Sequence, residues 1–489
     1  MATTIEQQPK FRFLPVGQPV IFTISNDDIV TDPNFSRVRF TARVHISDGV
    51  TANPSNNNQV IGTFKTTANN QGRGIFDLRT VIENFVSADH KASTNSNFKT
   101  VENIDDNLPI HLIDEWSGNR NSFRYMVIRF KTEYLDSNGN PQSVSSANSD
   151  SFKLFNGYLK YTDILRHSSP PYQHQFGYDD DRFTLDDNDK KLLTNAPLVQ
   201  YANIEDYGTS SILMKKTISN VYSGITNAFS SPDDGVANIE FNFYDESNSL
   251  IGTDFIIIYA TATGGAVYTD RELAKNKLFF VGVFPANLRG WSTVFNTNID
   301  DISYYTYHIN RQIDDPSSSF PMNEKISDDY RININCPNLK GYKPIRLTWL
   351  NQWGAWDYYT FNMKSSKTIS TKKTTYQQLE GTWNELYYNV EGFRGGKKGF
   401  RVNATEKIKM NTDFVSEAES EWFEELMNSP EVYILDGFQT DVSNSLLNNY
   451  VTPVRITSNS YTTKTVANDK LMQYSFEVEK SKTLRTQAI

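Results

Sequence analysis

Arg37-Val38-Arg39-Phe40-Thr41-Ala42-Arg43-Val44-His45-Ile46-Ser47 decides the fold class. Val38, Phe40, Ala42, Val44 and Ile46 share one face, while Arg37, Arg39, Thr41, Arg43 and His45 share the other, a period of two that belongs to strands. A strand with one face on a core and one toward solvent implies an antiparallel sheet. The alternation returns at Met126, Ile128, Phe130, Thr132 and Tyr134, which run into Asp136-Ser137-Asn138-Gly139-Asn140-Pro141. There Asn-Gly takes positive φ at little cost, so a hairpin is predicted. A third example is Ile239, Phe241 and Phe243 alternating with Glu240 and Asn242, then the turn residues Asp245-Glu246-Ser247-Asn248-Ser249, then Leu250-Ile251-Gly252-Thr253. The phrases Phe130-Lys131-Thr132-Glu133-Tyr134-Leu135-Asp136 and Phe241-Asn242-Phe243-Tyr244-Asp245 hint at a duplicated sandwich domain.

Further strands are predicted at 20–24, 60–65, 254–259, 277–284, 304–309 and 345–350. Two helices can be argued. Asp77 reads as an N-cap before an apolar stripe of Leu78, Val81, Ile82, Phe85 and Val86. Ser416 and Glu419 make a capping box ahead of Trp422, Phe423, Leu426 and Met427, and Pro430 marks the end. The stretch 166–197, rich in Pro, Gln, Asp and Asn, reads as a linker or an arm over a neighbour. Weaker breaks follow at Pro316-Ser317-Ser318-Ser319 and at Cys336-Pro337. The expected class is mainly β: antiparallel β-sandwich modules with a few short helices. The expected division is 1–185, a sandwich with one helix and a linker arm; 186–340, a second sandwich; and 341–489, a Trp-rich β domain with a helix near 416–428 and a terminal hairpin.

At 489 residues, two to four domains are expected. The 31 Phe and 26 Tyr, with recurring Asn, Ser and Thr, fit sheets and polar turns. Net charge is −9, with 48 basic residues scattered among 57 acidic ones, which argues against a nucleic-acid partner. The single Cys336 excludes an intramolecular disulfide and a multi-cysteine metal site, and reads as a buried free thiol. The first residues, Met1-Ala2-Thr3-Thr4-Ile5-Glu6-Gln7, carry no signal-peptide pattern, and no apolar run reaches membrane-spanning length, so no membrane insertion is expected.

Catalytic chemistry needs an activated nucleophile, an acid–base pair or a metal. His45, His90, His111, His167, His174 and His308 are scattered and read as surface or linker histidines. Asp136 to Asn140 begins like a calcium loop, but Pro141 stands where Gly is needed and Asn148 where Glu is needed. Asp179, Asp180, Asp181, Asp186, Asp187 and Asp189 read as a solvated acidic loop, with weak Ca²⁺ binding as the sharper alternative. Gly392-Phe393-Arg394-Gly395-Gly396-Lys397-Lys398-Gly399 fails as a phosphate loop, because Glu391 and Lys398 occupy two required positions. It reads instead as a flexible basic loop able to touch an acidic neighbour or a glycan. No cofactor, metal or catalytic set is assigned.

The most distinctive stretch runs from Leu347 to Phe361. Trp353, Trp356, Tyr358 and Tyr359 are its candidate interface or glycan contacts, because aromatic faces stack on sugars and also fill subunit interfaces. The competing reading is core, with Ile345, Leu347 and Trp349 pointing inward, Gly354 at a turn and 353–361 returning.

These features, with Pro19-Val20-Ile21-Phe22-Thr23-Ile24, Gly62-Thr63-Phe64-Lys65, Leu192-Leu193-Thr194-Asn195-Ala196-Pro197 and the C-terminal pair 453–458 and 471–479, resemble virion proteins of tailed bacteriophages. The resemblance is to tail and baseplate components, particularly those of marine and Bacteroidetes-infecting phages. It implies a structural subunit of a virion that works by assembly with copies of itself and with other virion proteins. It implies no catalytic set, so no enzyme is expected. The C-terminal hairpin or the 7–13 segment is expected to add a strand to a neighbouring sheet. The alternatives are a receptor-binding protein that recognises host surface glycans, a capsid-associated protein, and a glycan hydrolase built on a carboxylate pair.

Overall fold

A computed structural model describes residues 2–47, 59–92, 109–118, 121–163, 176–183, 185, 190–213, 236–257, 278–313, 322–335, 341–435, 451–458, 460–462, 472–482 and 484–485. The chain divides into two compact units: Met1–Asn335 with Leu350–Asp357 and Thr440–Val442, and Cys336–Trp349 with Tyr358–Gln439 and Ser443–Ile489. The boundary expected at 185 falls inside the first unit. Both units are mainly β, with several antiparallel sheets and few short helices.

The first unit opens with β1 (Thr4–Gln7), β2 (Phe13–Pro15), β3 (Ile21–Ser25), α1 (Asp27–Val30), β4 (Ser36–Ser47), β5 (Val60–Thr67), β6 (Arg73–Asp77) and α2 (Arg79–Ile82). It continues through β7 (Trp116–Gly118), β8 (Phe123–Leu135), β9 (Pro141–Ser143), β10 (Ala147–Asn148) and β11 (Phe152–Phe155). The alternating segment is β4, set between β8 and β5 in a sheet ordered β2-β11-β8-β4-β5. Its apolar face meets the sheet β1-β3-β6, with Phe22 5.4 Å from Phe130 and Phe76 5.9 Å from the same ring. Each such buried side chain contributes about 2–3 kcal/mol. Gly74 on β6 permits this closeness, since a Cβ there would come within 2.5 Å of the Phe40 ring.

A short α3 (Asp180–Phe183) precedes β12 (Val199–Asn203), β13 (Thr209–Leu213), β14 (Val236–Tyr244), β15 (Leu250–Ile257) and β16 (Leu278–Gly282). Then come α4 (Pro285–Leu288), α5 (Thr293–Thr297), β17 (Tyr304–Ile313), β18 (Met322–Lys325) and β19 (Tyr330–Asn335). Their main sheet is ordered β12-β19-β17-β14-β15, strand for strand the order of β2-β11-β8-β4-β5, with the parallel pair at the same edge in both. Local chemistry repeats as well. Ser149 Oγ accepts from Ile128 N at 3.0 Å and donates to the Asp150 carbonyl, while Ser327 Oγ accepts from Ile309 N at 2.8 Å and donates to the Asp328 carbonyl. Lys153 N donates to the Arg12 carbonyl and Arg331 N to the Leu198 carbonyl, both at 2.7 Å. The first unit therefore contains one strand order twice, as the paired hairpin phrases hinted. β16 pairs with β13 and with β7, so a strand from before residue 185 completes a sheet made after it.

Three local expectations change. The 77–86 helix shrinks to one turn, α2, followed by a 3-10 turn at Glu83–Phe85, with Val86 back in extended backbone; the Asp77 carboxylate accepts from both Val20 N and Arg79 N. The described part of the supposed linker is packed: the Phe183 ring stacks on Phe13 at 4.1 Å and meets Phe155 at 5.0 Å. His45, His111 and His308 are buried, not on the surface. Cys336, His167, His174, Asp186, Asp187, Asp189 and the 316–319 break lie outside the described residues.

The second unit is built on β20 (Ile345–Leu350), β21 (Trp356–Phe361), β22 (Ser366–Gln378), β23 (Gly396–Asn411), α6 (Glu417–Asn428), β24 (Val432–Leu435), β25 (Val451–Ile456), β26 (Ser475–Lys480) and β27 (Leu484–Arg485). The sheet order is β21-β20-β24-β25-β26-β23-β22. α6 starts where the capping box predicts, with Ser416 and Glu419 satisfying each other's backbone N–H. It seals the sheet through Trp422 and Phe423, which meet Trp349 at 4.9 Å and Phe476 at 5.4 Å. The C-terminal hairpin forms as β25–β26, but between β24 and β23, so both its edges are already used within its own chain. It has no edge to lend a neighbour. No helix among the described residues is long and apolar enough to cross a membrane.

Candidate functional site

The 351–355 turn forms as expected, with Gly354 at φ +74° and the Asn351 side chain accepting from the backbone N–H of Trp353 and Ala355. Its aromatic residues, however, are interior. Trp353 is 5% exposed, packed against Tyr178 at 4.8 Å with the Arg182 guanidinium 4.1 Å above its ring. Trp356 is 2% exposed, donates from Nε1 to the Asp89 carbonyl at 2.9 Å and meets His111 in a T-shaped contact at 5.0 Å. In the second unit Tyr358 is 4% exposed and lies under Arg346, and the half-buried Tyr359 meets Phe423 at 4.8 Å. Burial pushes the Tyr359 hydroxyl above the ordinary tyrosine range. These side chains hold their own units together and leave no flat ring for a sugar.

Among the described residues, the densest group of exposed aromatic side chains lies elsewhere, on a hairpin arm made by β22 and β23. Thirteen rungs pair Ser366 with Lys409 through Gln378 with Gly396, and a bulge between Thr374 and Thr375 leaves Phe400 unpaired. β22 is rich in threonine, which suits a strand, yet it has no buried face and is exposed almost throughout. β23 is anchored at its far end, where Lys407–Asn411 pair with β26 and Asn403–Ala404 with β27. From Arg401 toward the tip it pairs, among the described residues, with β22. At about 3.3 Å per residue, the two-stranded portion runs roughly 15–20 Å before the tip.

The arm's root is clamped by charge. The Glu406 carboxylate, 9% exposed, takes Lys367 Nζ from β22 at 2.8 Å and Lys480 Nζ from β26 at 2.9 Å. Burial pushes its pKa up, but the two ammonium groups overcome that and hold it below the ordinary glutamate range.

The tip, 379–395, has defined local bonding. Gly381 and Val390 form a bridge, Thr382 N donates to the Asn389 carbonyl at 3.1 Å, and the Thr382 hydroxyl accepts from Asn389 N. The Tyr388 ring lies directly over Gly381, where any Cβ would collide with it. Gly395 and Gly396, at φ +91° and +76°, return the chain into β23, and Arg394 pairs with Glu391 at 2.9 Å. This scaffold presents Trp383 (72% exposed), Leu386 (88%), Tyr387 (73%) and Phe393 (73%) to solvent. Eight of the nineteen exposed large hydrophobic residues among the described residues fall between Leu379 and Phe400. Such clustering marks an interaction site, where scattered exposed apolar residues would not.

The basic stretch Gly392–Gly399 forms the far side of this tip and the start of β23, with Lys398 Nζ donating to the Phe393 carbonyl. Sequence reasoning found its charge and missed its apolar half. The available signal was the apolar run Trp383, Leu386, Tyr387 and Val390, spaced i, i+3, i+4 and i+7 like a helix stripe, in a segment that forms no helix to bury it. Among the described residues, no group of three or more His, Cys, Asp or Glu is placed to hold a metal.

No protein-family model matches the sequence, and no curated protein matches it. Among solved structures, the chain is similar to the native conformation of alpha-2-macroglobulin from E. coli, at 11% identity and a TM-score of 0.18. The match covers 83% of this chain and 21% of that one, so the chain spans about a fifth of that protein's length. A score this low carries no argument about fold or function.

Proposed function

We propose that this chain is a structural subunit of a tailed-phage virion, in the tail, baseplate or tail hub, acting through protein–protein assembly and without turnover of a substrate. The observation that carries the assembly role is the arm: a narrow ribbon that buries little of its own surface and ends in a cluster of exposed Trp, Leu, Tyr and Phe. An isolated two-stranded ribbon is marginal in water, so an arm of this kind gains order from what it packs on. The placement in a virion rests on the resemblance to tail and baseplate proteins.

A glycan-binding role would use the same tip. Sugar sites pair one or two flat rings with polar side chains that bond hydroxyls, whereas here Leu379, Leu386 and Val390 stand beside the rings. Aliphatic side chains gain from a dry protein interface and little from a sugar. The assembly reading is therefore preferred. It is tested by light scattering on the purified chain, followed by negative-stain imaging. A ring or another defined multimer is expected; a monomer that binds glycans through the tip overturns it.

A further inference from the structure

We infer that the arm of one copy docks on the acidic body of a second copy of this chain; this rests on the assembly reading and names its partner. Three observations carry it. The first is charge. Residues 366–411 hold nine Lys or Arg and four Glu, a net of +5 in a chain whose total is −9, so everything outside the arm carries −14. The arm and the remainder of an identical chain are electrostatically complementary, and like parts of two copies repel.

The second is size. Fully burying an aromatic side chain removes on the order of 200 Å² from water, so Trp383, Tyr387, Tyr388 and Phe393 with their aliphatic neighbours offer roughly 800 Å², the area one partner gives to a standard stable interface. The third is the edge. β22 is the outermost strand of its sheet, and Lys372 and Lys373 sit along it. Lysines on an edge disfavour pairing of one arm with another, so an arm meeting a second copy goes to its body. The tip supplies the buried centre of the contact, and Lys397, Lys398 and Arg401 supply its charged rim.

The test uses the full-length protein and two double variants, Leu386→Ser with Tyr387→Ser, and Lys397→Glu with Lys398→Glu. All four positions lie on the arm and outside both cores, so folding is preserved and is checked by circular dichroism. Mass is measured by light scattering across concentration at 50 and 500 mM salt. The expected result is a multimer of the unaltered chain whose midpoint concentration rises at least tenfold in high salt and at least tenfold in each variant. A multimer whose midpoint is the same in both variants overturns the arm contact and leaves the assembly reading standing. A monomer at every concentration overturns the arm contact, and if that monomer binds glycans through the tip the assembly reading falls with it. Retention in the Leu386→Ser, Tyr387→Ser variant with loss in the charge variant also overturns the inference, because the tip would then lie outside the contact.

Discussion

Replacing Trp356 by Ala separates an interior aromatic residue from one that waits for a partner, when compared with the same change at Trp383. Trp356 is almost wholly buried, touches His90 and His111, and donates its indole N–H to the Asp89 carbonyl. Truncation of a buried Trp costs about 3–5 kcal/mol through lost transfer energy and the cavity left behind. The carbonyl left without its donor adds about 1 kcal/mol. Trp383 is 72% exposed, and its one close aromatic neighbour within the described tip is Tyr388, edge-on at 6.2 Å. Its removal should change stability by no more than about 0.5 kcal/mol. Urea unfolding followed by circular dichroism at low protein concentration measures both, with the transition of the first unit read for Trp356 and that of the second for Trp383, because a two-unit chain need not unfold in one step. A loss below about 1 kcal/mol for Trp356→Ala, or equal losses for the two variants, would refute the assignment of interior and exposed roles.

Other outcomes follow from the same geometry. Gly74→Ala forces a Cβ into the Phe40 ring and should cost about 2–3 kcal/mol in thermal or urea unfolding, the scale of core overpacking. Ser149→Ala and Ser327→Ala remove the same pair of bonds at equivalent places in the repeated strand order, so each should lower stability by about 1–2 kcal/mol, and unequal effects would count against the equivalence. Glu406→Gln loosens the arm's root by about 1 kcal/mol, seen as faster amide exchange in the β22–β23 rungs. Because the folded-state pKa of Glu406 is depressed, its contribution is present above pH 4.5, is lost as pH falls through the lower folded value, and the variant should match the unaltered chain in acid.

Much of the framework was legible because its signals are local. The alternation at 37–47, the Asn138-Gly139 turn and the 245–249 turn each specify a strand or hairpin without help from distant residues, and the Ser416 capping box fixes the start of α6. The 77–86 stripe gave the burial of Leu78, Ile82 and Val86, but the same residues bury in one α-helical turn followed by a 3-10 turn that leaves Phe85 exposed, so the stripe did not fix the helix length. Pro- and Asp-rich composition suggested a free linker, yet Tyr178 and Phe183 find a ring cluster supplied by Phe13, Phe155 and Trp353, residues far off in sequence. The Trp block looked like a contact surface for the same reason: sequence gives the aromatic residues but not the walls around them. The arm was hidden because β22 has polar residues on both faces, which is how a ribbon outside any core must look.

Docking through the arm requires its tip to become buried when copies assemble. Amide hydrogen exchange across 366–411, measured below and above the concentration at which mass rises, tests it most directly. Slower exchange is expected at the tip, 379–395, and along the outer rungs of β22–β23 in the assembled sample, with both cores unchanged. Assembly that slows exchange elsewhere and leaves the arm exchanging as fast as before would contradict it.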